Sequence, residues 1–314
     1  MRILSTTELP IDIGSLLKNS GIEVEIGDGE MLKGEIIDSL KDKDGLICLL
    51  RDKIDKDVID SAPKLKIIAN YAVGYDNIDI SYAKTKNIAV TNTPDVLTDA
   101  TADLAFALLI SSARRISEAD RYVRSGNFKG WRPDEMLGSD MNGKVLGIFG
   151  FGRIGQAVAR RACGFSMDVI YCDPEERHSE KAKRVDFETL LRESDYISLN
   201  ASLNQSNKHS FTINEFKKMK RNAIIVNTAR GGLIKENDLA EALEKRIIRG
   251  AGLDVYEFEP EINARLLNLS NIVLAPHMGS ATEETRKQMA LICIESVKSV
   301  LVDGRRPEKC VNCL

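Results

Sequence analysis

From residue 143 onward, short β-rich apolar runs alternate with segments whose apolar positions recur at helical spacing. The runs are Val145 to Phe149, Met167 to Cys172, Tyr196 to Leu199, Ala223 to Val226, Ala251 to Val255 and Ile272 to Ala275, and Ile154 to Cys163 and Asn237 to Lys245 are helical patterns among them. Such alternation predicts parallel strands covered by helices on both faces, an α/β class with a doubly wound sheet. A shorter alternation fills the start: Met1 to Leu4, Val24 to Ile26, Leu46 to Leu50, Leu65 to Ala69 and Ile88 to Thr91. Two α/β units therefore share one chain. Between them, Thr93-Pro94 precedes an uninterrupted helical pattern from about Leu97 to Arg124. Proline disfavours helix in the residue before it, which puts a boundary near 93 to 96, and one long helix is expected to cross from unit to unit. Its apolar character suits either a subunit interface or a buried intradomain helix.

Composition narrows the class. At roughly 150 residues per domain, 314 residues suggest two domains. With 44 Lys+Arg against 47 Asp+Glu and 43% hydrophobic residues, the chain is neither a disordered segment nor a nucleic-acid binder relying on a global basic field. No apolar run approaches the ~18 residues of a membrane span, and MRILSTTELP lacks the basic start and apolar core of a signal peptide, so a cytoplasmic protein with no membrane partner is expected. The cysteines at 48, 163, 172, 293, 310 and 313 are scattered. They are expected to stay reduced, with no metal site and no joint role for Cys310 and Cys313. Only three histidines, His178, His209 and His277, are candidates for proton transfer.

Val145 to Phe149 runs into Gly150-Phe-Gly152-Arg153-Ile154-Gly155, and a helical pattern follows. A bare G-x-G-x-x-G is weak evidence, but between a strand and a helix it has a mechanism. Gly150 permits the tight turn, Gly152 lets the backbone approach a pyrophosphate, and Gly155 allows close packing of helix on strand. The helix start at Arg153 and Ile154 supplies N–H donors to the anion. The next run leads to Asp173, at about the ~20-residue spacing of an acid that accepts ribose hydroxyls. That carboxylate repels a 2′-phosphate, so NAD is expected; NADP is the alternative, because Arg177 and Lys181 to Arg184 lie close behind.

In a doubly wound sheet, ligands bind outside the carboxyl ends of the strands. Those ends carry Asn200-Ala-Ser202, then Asn227-Thr228-Ala229-Arg230-Gly-Gly232, then Asp254 with Glu257 and Glu259-Pro260, then Pro276-His277-Met-Gly279. A cation for a carboxylate, a titratable imidazole and an acid able to keep it protonated thus gather on one edge. Reduction of a 2-oxo acid beside a nicotinamide needs all three. Local pattern does not choose between Glu257 and Glu259. His178 and His209 lie in polar stretches and are expected to be solvated.

These residues resemble the D-isomer-specific 2-hydroxyacid dehydrogenase family over essentially the whole chain. The resemblance is carried by Ala69 to Asp79, Thr91-Asn-Thr-Pro94, Gly150 to Gly155, Asn227 to Gly232, Leu253 to Tyr256 with Glu259-Pro260, and Pro276 to Ser280. It implies a Rossmann cofactor domain at 96–284, inserted into a smaller flavodoxin-like substrate domain at 1–95 and 285–314, with a cleft closed by hinge motion. It also implies a catalytic trio of Arg230, Glu259 and His277, Glu259 being chosen by its place before Pro260. Cofactor contacts are implied at Thr228, Ala229, Arg230, Asp254, His277 and Gly279, and substrate contacts at the Val73 and Gly74 amides, Arg230 and His277. A homodimer and a small 2-oxo or 2-hydroxy acid partner are implied as well. Ser202 stands where relatives usually carry proline, in a loop bordering the adenosine.

Within that family the chain looks most similar to glyoxylate and hydroxypyruvate reductases, through Asn70 to Tyr75, Pro94 to Asp103 and Trp131-Arg-Pro133. The alternative is a D-3-phosphoglycerate dehydrogenase. Relatives of that kind place arginines where this chain has Leu49 and Asn70, although Arg51, two positions on, points to the same side of a strand. A rival of another class is an NAD-sensing, corepressor-like binding protein, disfavoured here because no extended disordered tail is present.

Overall fold

The computed structural model describes residues 1–312, and all that follows concerns those residues. They form two compact units, one from residues 1–97 and 280 onward, the other Thr98–Gly279.

The first unit holds β1 (Arg2–Ser5), β2 (Glu23–Ile26), β3 (Gly45–Cys48), β4 (Ile67–Asn70) and β5 (Ala89–Thr91). They pair in parallel in the order β2-β1-β3-β4-β5, the flavodoxin-like arrangement. Successive residues of a strand point to opposite faces. Leu4, Leu46 and Ile68 therefore pack with Ile36 and Val58 on one side, and Ile3, Ile47 and Ile67 with Ala290, Cys293 and Val297 of the helix Glu283–Leu301 on the other. The exposed edge of β5 is covered by the last described residues. Val311 donates to the Val90 carbonyl at 2.8 Å, and the buried Asn312 side chain accepts from Val90 and donates to Ile88. An edge so covered cannot recruit another strand.

Cys310 lies in this covering segment and is disulfide-bonded. This corrects the expectation of six reduced cysteines. That expectation rested on compartment and scatter, and neither says whether a given thiol meets a second one in the folded chain. Cys313, the other half of the C-x-x-C, lies outside the described residues.

The second unit holds β6 (Val145–Phe149), β7 (Asp168–Cys172), β8 (Lys183–Arg184), β9 (Tyr196–Leu199), β10 (Ile224–Asn227), β11 (Gly250–Leu253) and β12 (Ile272–Leu274). The parallel order is β12-β11-β10-β9-β6-β7-β8. The chain winds outward from β6 in one direction, returns to β9, and winds outward in the other. This creates a topological switch point between β6 and β9. Leu146, Ile148, Ile224 and Val226 face the helices Thr98–Arg114 and Arg153–Gly164, while Ile197, Leu199 and Ile225 face Leu239 and Leu243 of the helix Glu236–Glu244.

The single helix expected over 97–124 is two, Thr98–Arg114 and Ile116–Arg124, with Arg115 between them at φ 56°. The cause is non-local. The Ser139 N–H takes the Ala113 carbonyl at 2.8 Å, and a Cβ on Gly138 would sit 2.5 Å from that oxygen, so the returning chain occupies the path of a continuing helix. The first helix buries Ala102, Ala105, Leu108 and Leu109 in the core. Exposed apolar side chains follow it instead, at Ile116, Val123, Phe128, Trp131 and Leu137. No helix among the described residues is long and apolar enough to cross a membrane.

Candidate active site

β6 delivers the chain to a loop that only glycine can make. Gly150 has φ 90°, and a Cβ there would lie 2.5 Å from the Ala201 nitrogen. A Cβ on Gly155 would lie 2.2 Å from the Gly150 carbonyl, whereas Gly152 opens on free space. The helix beginning at Arg153 has no capping side chain, which leaves first-turn N–H groups for an anion. Asp173, after β7, accepts the Phe151 N–H at 2.7 Å and the Glu175 N–H at 2.9 Å, and so ties its strand end to the glycine loop. At the neighbouring ends of β9 and β10, Asn200 Oδ1 and Thr228 Oγ1 are buried with no partner. A buried polar atom left unsatisfied costs ≈1–3 kcal/mol, which a ligand with complementary groups would relieve. Loop, helix start and orphaned atoms together fit a dinucleotide.

The turn after β10 is held by Asn227, whose side chain accepts the Ala229 N–H at 3.0 Å and donates to the Arg230 carbonyl at 2.8 Å. Arg230 in turn donates to the Ala229 carbonyl at 2.8 Å. After β11, the buried Asp254 accepts the Met278 N–H at 2.7 Å and the Gly279 N–H at 2.8 Å. Those two bonds hold the turn in which His277 has φ 52°, a left-handed backbone unusual for a residue with a side chain. Burial pushes the Asp254 carboxyl up, against the opposing pull of the amides and of His277.

Glu259 Oε2 lies 2.8 Å from His277 Nδ1, and Oε1 accepts the Tyr256 N–H at 2.9 Å. Burial alone would raise the Glu259 carboxyl. The His277 hydrogen bond, the Tyr256 amide and the charges of His277 and Arg230 outweigh it and hold the group below the ordinary carboxylate range. With Nδ1 turned to Glu259, Nε2 is the nitrogen left for a reacting atom. The arrangement can bind a carboxylate at a guanidinium and present a ring N–H from an imidazole that an adjacent carboxylate orients.

The two acids left open by local pattern separate here. Glu259 pairs with His277, and Glu257 with His209 at 2.6 Å between Oε1 and Nε2. His209 is thus partly buried and paired rather than solvated, a correction whose cause is again non-local. Its N–H donates to the Gly232 carbonyl at 2.8 Å, folding its loop onto the Arg230 turn. His178 is exposed. Sequence reasoning also passed over Glu236, which is buried at the start of its helix.

In the first unit, Asn70 at the end of β4 donates to the Gly74 carbonyl at 2.7 Å, and Asn92 donates to the Val73 carbonyl at 2.8 Å. With both carbonyls held, the Val73 and Gly74 amides have no acceptor among the described residues. Arg51 pairs with Glu30 at 2.6 Å and donates to the Gly29 carbonyl at 3.2 Å.

Residues 106–279 match the family model described as D-isomer specific 2-hydroxyacid dehydrogenase, NAD binding domain. The chain is 52% identical to a glyoxylate reductase of Thermococcus litoralis over 288 residues, 89% of this chain and 87% of the relative. Among solved structures, it is similar to a glyoxylate reductase from Paecilomyes thermophila (TM-score 0.89, 33% identity, 99% of this chain and 98% of that one). It is also similar to an NADPH-dependent glyoxylate/hydroxypyruvate reductase from Sinorhizobium meliloti, solved with NADP and malonate (TM-score 0.88, 29% identity, 99% and 96%).

Proposed function

The chain belongs to the D-isomer specific 2-hydroxyacid dehydrogenases, and from that premise we propose that it reduces glyoxylate or hydroxypyruvate to the 2-hydroxy acid. It is an NAD(P)-dependent oxidoreductase. The observation that carries the reading is the Glu259–His277 pair at 2.8 Å with the charge of Arg230 acting on the same carboxylate.

Bound nicotinamide cofactor supplies the hydride. In this reading Gly150, Gly152 and Gly155, with the amides at Arg153 and Ile154, hold its pyrophosphate. Asp173 takes ribose hydroxyls, and Thr228 to Arg230, Asp254, His277 and Gly279 line the nicotinamide end. Arg230 holds the substrate carboxylate and polarises the 2-oxo group, a two-point grip that lysine does not reproduce. In the first unit, the Val73 and Gly74 amides are the proposed substrate contacts. His277 donates from Nε2 to the oxygen that becomes the hydroxyl, and Glu259, bonded at Nδ1, holds the ring in place for that step.

The small, unphosphorylated substrate is supported by the first unit, where a phosphate would need a cation. Asn70 is buried and spent on Gly74, and Arg51 is engaged by Glu30 and Gly29. The test is a scan of NADH and NADPH oxidation with glyoxylate, hydroxypyruvate, pyruvate and 3-phosphohydroxypyruvate. Preference for the first two is expected, with His277→Ala lowering kcat by ~10²- to 10⁴-fold while NADH still binds. Preference for the phosphorylated acid, or unchanged turnover in the variant, would overturn the reading.

We also propose that the protein is a cytoplasmic homodimer. The exposed apolar side chains of residues 116–137 support the dimer. Sedimentation should give twice the 34.8 kDa chain mass, and a monomer at micromolar concentration would refute it.

A further inference from the structure

The loop that carries Glu259 also carries Glu257, and the mechanism above makes no use of the second acid. Glu257 Oε1 lies 2.6 Å from His209 Nε2, and Oε2 accepts the Glu236 N–H at 3.2 Å. Glu236, only 4% exposed, reciprocates: Oε1 accepts the Glu257 N–H at 2.6 Å and Oε2 the Asn263 N–H at 3.3 Å. His209 adds a third tie through its N–H to the Gly232 carbonyl at 2.8 Å. Beneath these bonds the backbones touch, since a Cβ on Gly231 would lie 1.9 Å from the Tyr256 carbonyl group. The turn bearing Arg230 and the loop bearing Glu259 are thus cross-linked by two carboxylates, each accepting an amide of the other's segment.

This arrangement has a cost that a merely solvated network would not carry. Burial pushes the Glu236 carboxyl up, its two amides oppose this, and the neighbouring charges of Glu257 and Glu259 raise it further. Three acids are therefore brought close together in a partly desolvated region. The imidazole of His209 is the group that meets Glu257 from the facing loop. Asp238, which pairs with Lys235 at 3.2 Å, is a further charge near that imidazole.

The geometry points to a clamp in which His209, acting through Glu257 and Glu236, fixes Arg230 relative to Glu259 and His277. His209, Glu257 and Glu236 act here as positioning residues, through their bonds to the two segments. The proposal rests on Arg230, Glu259 and His277 being the catalytic trio. Its leverage comes from the steep dependence of such reactions on geometry, in which a misplacement of about 1 Å can cost about 10²-fold.

The test compares His209→Ala and Glu257→Ala with His209→Gln, whose amide N–H can still reach Glu257. The first readout does not depend on turnover. Hydrogen–deuterium exchange should accelerate in segments 230–236 and 256–263 of the alanine variants while the rest of the second unit is unchanged. The second readout is kinetic. With glyoxylate or hydroxypyruvate, kcat should fall about 10- to 100-fold and the isotope effect from deuterated NADH should grow, with NADH affinity within about twofold of wild type. His209→Gln should recover most of the loss.

Unchanged exchange in the two segments overturns the clamp. So does kcat within about twofold of wild type in both alanine variants, or acceleration spread evenly over the unit with loss of NADH binding, which would mark a general structural role. If the wild-type protein reduces no 2-oxo acid, the trio reading fails, and the exchange comparison still reports on the cross-link.

Discussion

Asp254→Asn tests how His277, the proposed proton donor, is held. Both oxygens of Asp254 are spent on the amides of Met278 and Gly279, in a site 1% exposed. With an asparagine, one oxygen still accepts, but the NH₂ group meets the other N–H, donor against donor. A buried donor left unsatisfied costs ≈1–3 kcal/mol, and the left-handed backbone of His277 is itself worth ~1–3 kcal/mol of strain that the native bonds overcome. The turn escapes the clash by leaving that conformation. At 1.36 kcal/mol per decade, the productive turn becomes about 5- to 150-fold rarer. The kcat for a 2-oxo acid, followed by NADH absorbance, should fall by about that factor, while NADH affinity at the glycine loop holds. Thermal stability should change little, because asparagine also removes the burial penalty that pushes the Asp254 carboxyl up. A kcat within twofold of wild type would refute the argument, as would a kcat loss that only tracks a fall in melting temperature.

Three further outcomes follow from the same geometry. Gly155→Ala should raise the Kd of NADH about 5- to 150-fold in a fluorescence titration: a Cβ 2.2 Å from the Gly150 carbonyl is overpacking worth ~1–3 kcal/mol, more than the helix propensity that alanine adds. An unchanged Kd would show that the loop relaxes freely. Asp173→Ala should shift the ratio of kcat/KM for NADPH over NADH upward by about tenfold or more, since the acid that repels a 2′-phosphate is gone; an unmoved ratio would place selection elsewhere. Glu259 titrates below its ordinary 4.5, so its charge-dependent contribution to stability is complete above that pH and is lost as pH falls through the lowered value. The melting-temperature gap between wild type and Glu259→Gln should accordingly be flat above pH 4.5 and close below it, and a gap persisting into strong acid would contradict the assignment.

The parts legible in the sequence are those that depend on short-range order. Apolar runs such as Ile224 to Val226 read as strands because a helix-covered parallel sheet buries both faces, and both faces are indeed filled. Gly150 to Gly155 was readable because strand, turn and helix are contiguous. The misreadings share a different origin. Arg115 breaks the helix because residues 138 and 139 return to its last turn, and His209 is partly buried because Gly232 receives its amide. In each case the deciding atom lies far along the chain, where periodicity carries no information.

The choice between Glu257 and Glu259 sits between these two regimes. Acids two residues apart on an extended segment point the same way, so pattern alone gives them equal claim on the imidazole. In the folded chain they point to different histidines because the segment is not extended. The Glu261 N–H closes on the Phe258 carbonyl at 2.9 Å, a tight turn over Glu259 and Pro260 that rotates the second acid away from the first. The proline that singled out Glu259 by resemblance therefore has a local physical counterpart, since it sits in the turn that redirects that side chain. The side left to Glu257 is the one that meets the Arg230 turn. One short loop can thus both support the proposed proton donor and be anchored to the residue proposed to grip the substrate, provided its two acids are kept facing apart.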